Sequence, residues 1–207
     1  MTALEMKYEF DIKLRDVLDV LGEPFTTNEI SRILNEAQLK MVKEYARFFE
    51  KNEEVRKVLG VLVEPYSTTT FTNDTTNHTN GKYVTLPTDY IRTVSEQVNS
   101  SNSIRVKPVT LDEYITNIGN PHKMPYSGLV WRLDRDGKHE LITDGTVTLT
   151  AYAMDYVKLP PDIDIDNSID SVLSDTVHED IIDGAIRIAL VILGRKTQLF
   201  NTKSDNQ

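Results

Sequence analysis

The chain has 207 residues, enough for one domain or two small ones, and 39% of them are hydrophobic, so it can bury a core. It contains no cysteine, which excludes a disulfide framework and a thiolate metal site. Its formal net charge of -9 is concentrated, because residues 155–183 hold nine acids against Lys158 alone. That argues against a surface that grips nucleic acid, which needs clustered Lys and Arg.

The first residues, MTALEMKYEFD, lack the apolar stretch of a signal peptide. No apolar run approaches the ~20 residues needed to cross a bilayer. Asn-x-Thr/Ser triplets begin at Asn73, Asn77 and Asn99. Without a secretory signal they read as polar loop residues.

Residues 5–14 carry two periods. Met6, Tyr8, Phe10, Ile12 and Leu14 alternate as in a strand, whereas Phe10, Leu14, Val17, Leu18 and Leu21 recur as on a helix. The spacing predicts a short helix from about Leu14 to Leu21, ended by Gly22 and Pro24, with 5–12 as its extension or as an extended arm.

Thr26 to Leu59 reads as one long amphipathic helix. Thr26 and Glu29 stand in capping-box spacing, and Phe25 and Ile30 in that of a hydrophobic staple. Ile30, Ile33, Leu34, Ala37, Met41, Tyr45 and Phe48 follow at helical intervals, and Gly60 marks the end. About 32 residues would span about 48 Å. The charged stretch Glu50–Lys57 reads as a solvated end or an interface.

Beyond Gly60 the pattern turns to strands. Val61–Val63 is short and ends at Pro65. Residues 67–82, rich in Thr and Asn, are either a surface loop or a hairpin with its tip near Asn80-Gly81. Strands are predicted over Lys82–Leu86, Ile91–Asn99, Ile104–Val109, Leu129–Leu133, His139–Thr143 and Val147–Met154. Thr110 and Glu113 cap a short helix, and Asp136-Gly137 marks a hairpin. Pro160 and Pro161 close the region. Thr176 and Glu179 repeat the capping spacing before an almost wholly apolar helix, Val177 to Lys196, with the polar tail 197–207 behind it. So apolar a helix must be buried on most sides, in part against the β-region or another subunit.

The fold class expected is α+β: a long-helix bundle formed by the N- and C-terminal segments, with an inserted small antiparallel β-sheet or barrel. The chain is expected to be one domain. It divides into N-terminal helices (1–62), β insertion (63–160), acidic loop (161–175), C-terminal helix (176–196) and tail (197–207).

Catalytic patterns are missing: no GxSxG, P-loop, GxGxxG or HExxH. His78, His122, His139 and His178 are scattered. Asp155, Asp180 and Asp183 pair with no nucleophile. Tyr90 and Arg92 are too few for base stacking. Asp162, Asp164 and Asp166 begin like a calcium loop, but Asn167 replaces the glycine and Leu173 the bidentate Glu. The loop therefore reads as solvated acid, and no metal or cofactor is expected.

Three stretches together resemble a known family. Leu21-Gly22-Glu23-Pro24 precedes a helix with the core Ile33-Leu34-Asn35-Glu36-Ala37. A β segment reads Tyr83-Val84-Thr85-Leu86-Pro87, then Asp89-Tyr90-Ile91-Arg92, Val106-Lys107-Pro108-Val109 and Asp112-Glu113-Tyr114. A strand from Tyr152 to Tyr156 runs through Leu159-Pro160 into the acidic turn and the apolar helix. This organisation, over about residues 14–196, is similar to that of tailed-bacteriophage head-to-tail connector proteins, also called adaptor, ring or tail-tubular-A-like proteins.

The resemblance implies a structural, non-enzymatic virion protein made in the host cytoplasm and placed in the neck. It implies a homo-oligomeric ring, commonly twelve-fold, with portal above and tail or second ring proteins below. Genome DNA would pass through without specific binding, and no membrane is involved. Subunit or portal contacts are expected at Ile188, Val191, Ile192, Arg195, Lys196 and Phe200. Two other readings stay open: another oligomeric tail or baseplate module, and a small hydrolase.

Overall fold

The computed structural model describes residues 1–18, 24–74, 78, 80–99 and 103–204, the side chains of 103 and 195–204 excepted. The chain forms two compact units. One comprises Met1–Leu62 with Leu159–Gln207, the other Val63–Lys158.

The first unit is helical. Helix α1 spans Ala3–Leu18 and takes in residues 5–12, so the helical period prevails over the strand period there. Met6, Phe10 and Leu14 are buried at i, i+4 and i+8. The Asp170 carboxylate accepts from Ala3 N at 2.6 Å and so satisfies a free donor of the first turn. Leu21, Gly22 and Glu23, read above as closing this helix, lie outside the described residues.

Helix α2 spans Thr27–Ala46, and both halves of the Thr26/Glu29 capping box are formed. Phe25 and Ile30, the staple pair, are both buried. The single rod expected to Leu59 does not form. After Ala46 the chain tightens into i+3 bonds, Arg47 N to Glu44 O at 3.1 Å and Phe48 N to Tyr45 O at 2.9 Å. Asn52 then caps a new helix, α3 (Glu53–Leu59), accepting from Glu54 N at 2.9 Å. The interruption moves burial by one position: Phe49 is inside and Phe48 is half-exposed. Gly60 carries a right-handed φ of -56° and passes the chain into a 3-10 turn, so it does not stop the helix by a left-handed turn.

Helix α5 spans His178–Ser204, so it runs past the end expected at Lys196 and takes in 197–204 of the segment read as a tail. Its cap differs from the expected Thr176/Glu179 box. Ser174 accepts from Thr176 N and opens a 3-10 turn, Asp175–Val177, from which α5 continues. Both α1 and α2 pack on α5. Gly184 permits the approach to α2, because a Cβ there would stand 3.4 Å from Ala37 Cβ. The acidic loop is tied to α2 at Ile163 N to Asn35 Oδ1 (2.7 Å) and Ile165 N to Ser31 Oγ (3.3 Å).

The second unit is built on an eight-stranded sheet. The strands are β1 (Val63–Thr68), β2 (Thr72–Asn73), β3 (Gly81–Thr85), β4 (Tyr90–Asn99), β5 (Ser103–Pro108), β6 (Leu129–Arg135), β7 (Lys138–Ile142) and β8 (Ala151–Lys158). Their order is β1-β8-β4-β5-β6-β7-β3-β2. The expected class fails on two counts. The helical part is made of separate segments and not a long-helix bundle. The sheet dominates the fold and is neither small nor wholly antiparallel.

One pair, β5/β6, is parallel. Parallel neighbours need a crossover, and helix α4 (Leu111–Asn117), capped by the Thr110/Glu113 box, lies within it. Strand β1 runs through Pro65, read above as a terminator. It is an end strand of the sheet, where a missing N–H costs no ladder bond. The weak alternation of β4 has a local cause: its register against β8 shifts between Tyr90 and Arg92 and between Thr93 and Ser95. The turn after β6 is as expected, with Asp136 and Gly137 both at positive φ, 41° and 69°.

One core cluster joins Val84, Val98, Val130, Leu141, Tyr152 and Met154. A second joins Val109, Trp131, Leu133 and Ile142, with Tyr114 of α4 against it. Val130 and Trp131 are adjacent yet both buried, so β6 is covered on both faces.

Candidate functional site

In the helical unit the feature of interest is the outer face of α5. Ile181, Ile182, Ala185 and Ala189 are fully buried. Ile188 and Ile192 are only half-buried, and Val191 is 54% exposed. A cleft between α2 and α5 is lined by Lys40, Met41, Tyr45, Arg187, Ile188 and Val191. Helix α1 has a second apolar ridge opposite its buried one: Leu4, Tyr8 and Ile12, spaced by four, are each half-exposed or more. Isolated apolar side chains on a surface are ordinary, but contiguous apolar ridges mark contact surfaces.

Arg195, Lys196 and Phe200, expected at the same interface, fall on α5, but their side chains lie outside the described residues. Asp180 and Asp183 are engaged locally. Tyr45 Oη donates to Asp180 at 3.3 Å, and Lys13 Nζ pairs with Asp183 at 2.8 Å. Burial and then Asp180 raise the Tyr45 phenol. In the acidic loop Ile163 and Ile165 turn inward, while Asp164 accepts from Asn167 N at 3.1 Å and from its amide at 2.7 Å. That bonding holds the Asp164 carboxyl below its usual range. His178 is buried, its Nε2 3.0 Å from Leu173 O, and His122 is exposed. No described helix is long and apolar enough to cross a membrane.

The β unit buries charge. Arg132 Nη1 donates to Glu96 at 2.8 Å, and its Nε lies 3.1 Å from Asp134. Tyr152 Oη donates to the other Glu96 oxygen at 2.8 Å. His139 Nδ1 completes the chain, 2.8 Å from Tyr152 Oη. Tyr90 stands edge-on to His139 and stacks on Tyr156, whose hydroxyl donates to Asp89 at 3.0 Å. Tyr90 is thus a packing residue and not a free stacking platform. Burial and then Arg132 lower His139 to about 3, so it is neutral. Burial and the bond to Asp89 raise Tyr156 to about 12. Asp155, the remaining candidate carboxylate, accepts from Ser95 Oγ at 2.7 Å.

A second buried group is not legible in the sequence. Asp74, His78 and Glu140 converge, with one donor atom from each lying within 4.8 Å of the others. Antiparallel pairing of β3 with β7 starts at Gly81, just after His78, and His78 meets Glu140 across 62 positions of chain. The i, i+4 spacing of Asp74 and His78 is the only local sign.

Residues 1–202 match the family model described as phage tail ring protein 3/4, and the chain belongs to that family. Ring protein 4/5 of Bacteroides phage crAss001 is similar, 23% identical over 226 residues covering 91% of this chain and 92% of that protein. The resemblance to ring and connector proteins of phages is thereby borne out. The family points to a structural role in a phage tail ring, and to a virion component in place of an enzyme.

Proposed function

We propose that the chain assembles with copies of itself into a closed ring between portal and tail, with a channel for genome passage. Twelve-fold symmetry is the copy number we put to test. A ring closes through heterologous contacts, so each subunit needs two different faces. The half-exposed α5 residues Ile188, Val191 and Ile192 supply one. Arg195, Lys196 and Phe200 lie further along the same helix, towards a neighbouring subunit or the portal. The α1 ridge of Leu4, Tyr8 and Ile12 supplies a candidate for the other face. The acidic balance, -9 overall, suits a channel in which DNA slides, since few cations are available to hold phosphates.

The observation that carries this reading is Val191, a large apolar residue 54% exposed on α5 beside the part-buried Ile188 and Ile192. Val191→Asp should leave the subunit folded and abolish assembly, as read by circular dichroism and size-exclusion chromatography with light scattering. Rings formed by the variant at wild-type concentration would remove α5 from the interface. Deleting residues 197–207, which removes the last turns of α5, should leave the subunit folded and weaken docking to neighbouring rings, and wild-type infectivity of that deletion would count against docking through this end.

A further inference from the structure

The Asp74, His78 and Glu140 cluster is not among the residues assigned to assembly above, and its donor set is that of a cation site. The three side chains are 2%, 7% and 0% exposed. His78 Nδ1 lies 3.7 Å from Asp74 Oδ2 and within hydrogen-bonding reach of Glu140 Oε1. Two carboxylates facing one imidazole in a desolvated pocket need positive charge between them, and a bound cation supplies it without protonating the imidazole. Arg135 Nε, 2.9 Å from the far oxygen Glu140 Oε2, offsets one of the two charges and leaves Oε1 facing His78.

The surroundings are those of a built site. Asp74 Oδ2 accepts from His78 N at 2.9 Å, which orients that carboxylate. Tyr114 packs edge-on against the His78 ring, centroids 4.2 Å apart. Gly81 leaves the space: a Cβ there would fall 2.7 Å from Glu140 Oε1 and 3.2 Å from the Cβ atoms of Asp74 and His78. The Arg135 contact is the kind of outer-shell bond that fixes a ligating carboxylate.

We infer that Asp74, His78 and Glu140 are the protein ligands of a structural divalent transition-metal site, with zinc the preferred ion. One imidazole nitrogen and two carboxylate oxygens suit zinc or manganese. Calcium needs six to eight oxygens, more than this pocket offers. Zinc bonds of about 2.0–2.2 Å require donors closer together than 4.8 Å, and the 3.7 Å separation of Nδ1 and Oδ2 is already near that geometry. Water completes the shell. The ion joins Asp74 and His78 to Glu140 of β7, where strand β2 contributes two residue pairs of its own, Thr72 with Tyr83 and Asn73 with Lys82.

The test is a titration of the full chain, stripped with chelator and moved into metal-free buffer, with zinc chloride and in parallel with manganese chloride. Calorimetry and elemental analysis should give about one zinc per chain, with a higher melting temperature in zinc than in chelator. His78→Gln should weaken binding by at least about tenfold, and Arg135→Gln by about 10–100-fold. X-ray absorption on the zinc-loaded wild type should show a single imidazole with oxygen ligands, a readout that depends on no variant folding. Saturable manganese binding without zinc binding would overturn the choice of ion. Binding of neither, or equal zinc binding by wild type and a folded His78→Gln, would overturn the site and leave a shared proton holding the cluster.

Discussion

His139 Nδ1 and Tyr152 Oη lie 2.8 Å apart, both side chains fully buried. The phenol has one proton and donates it to Glu96. It must therefore accept from His139, which places the imidazole proton on Nδ1. Asp134 faces Nε2 at 3.3 Å, and Arg132, Glu96 and Tyr90 complete the surroundings.

This pairing predicts acid sensitivity. Unfolded histidine takes a proton near 6.5, whereas the folded site does so only near about 3. Between those values the unfolded chain binds more protons, so stability present above pH 6.5 is lost as pH falls, by up to about 1.4 kcal/mol per unit. In the metal-free protein Glu140 contributes the opposite slope, because its raised carboxyl favours the protonated folded state. His139→Asn removes the histidine's share alone. The stability gap between wild type and variant in urea should narrow from pH 7 to pH 5, and a constant gap would contradict the assignment.

Arg132 is held between Glu96 and Asp134, and both it and Glu96 are about nine-tenths buried. Arg132→Met should destabilise the fold by about 3–5 kcal/mol by leaving the Glu96 charge uncompensated. Adding Glu96→Gln should recover part of the loss. Urea denaturation of the two variants measures both, and additive losses would mean the pair is not coupled.

Gly81 and Gly119 offer a matched comparison. A methyl group at Gly81 would have three neighbours within 3.2 Å, and one at Gly119 would have none within 4 Å. Gly81→Ala should lower the melting temperature, whereas Gly119→Ala should be neutral within about 0.5 kcal/mol. Equal effects would show that Asp74, His78 and Glu140 are loosely packed around Gly81.

Asn52 sets the break between α2 and α3. Asn52→Ala should cost about 1 kcal/mol through loss of the cap. An unchanged midpoint in thermal unfolding would mean that the break is fixed by packing of Phe49 and Val55 alone.

Local signals in the sequence hold at three of the four caps and turns read from spacing, and fail at Thr176/Glu179, where Ser174 caps instead. Thr26/Glu29, Thr110/Glu113 and Asp136-Gly137 each form the cap or turn that their spacing predicts. The break in the long helix escapes periodicity, because apolar residues recur at helical intervals on both sides of Asn52 and a one-position slip does not register. Asn52 before Glu53-Glu54-Val55 is the capping signal that tells of it. Strand β8 begins at Ala151 and not Val147, since only pairing with β4 and β1 delimits it. Pro65 eludes a local reading for a similar reason: its tolerance depends on an end position in the sheet, which is a property of the whole topology. The Asp74–His78–Glu140 group is non-local altogether.

Ring assembly is the central claim. Native mass spectrometry of the purified full-length chain, with negative-stain microscopy of the same sample, tests it most directly. Closed rings, twelve copies in number, are expected, formed by the protein alone or on addition of portal. A chain that stays monomeric at high concentration and does not bind portal would contradict it.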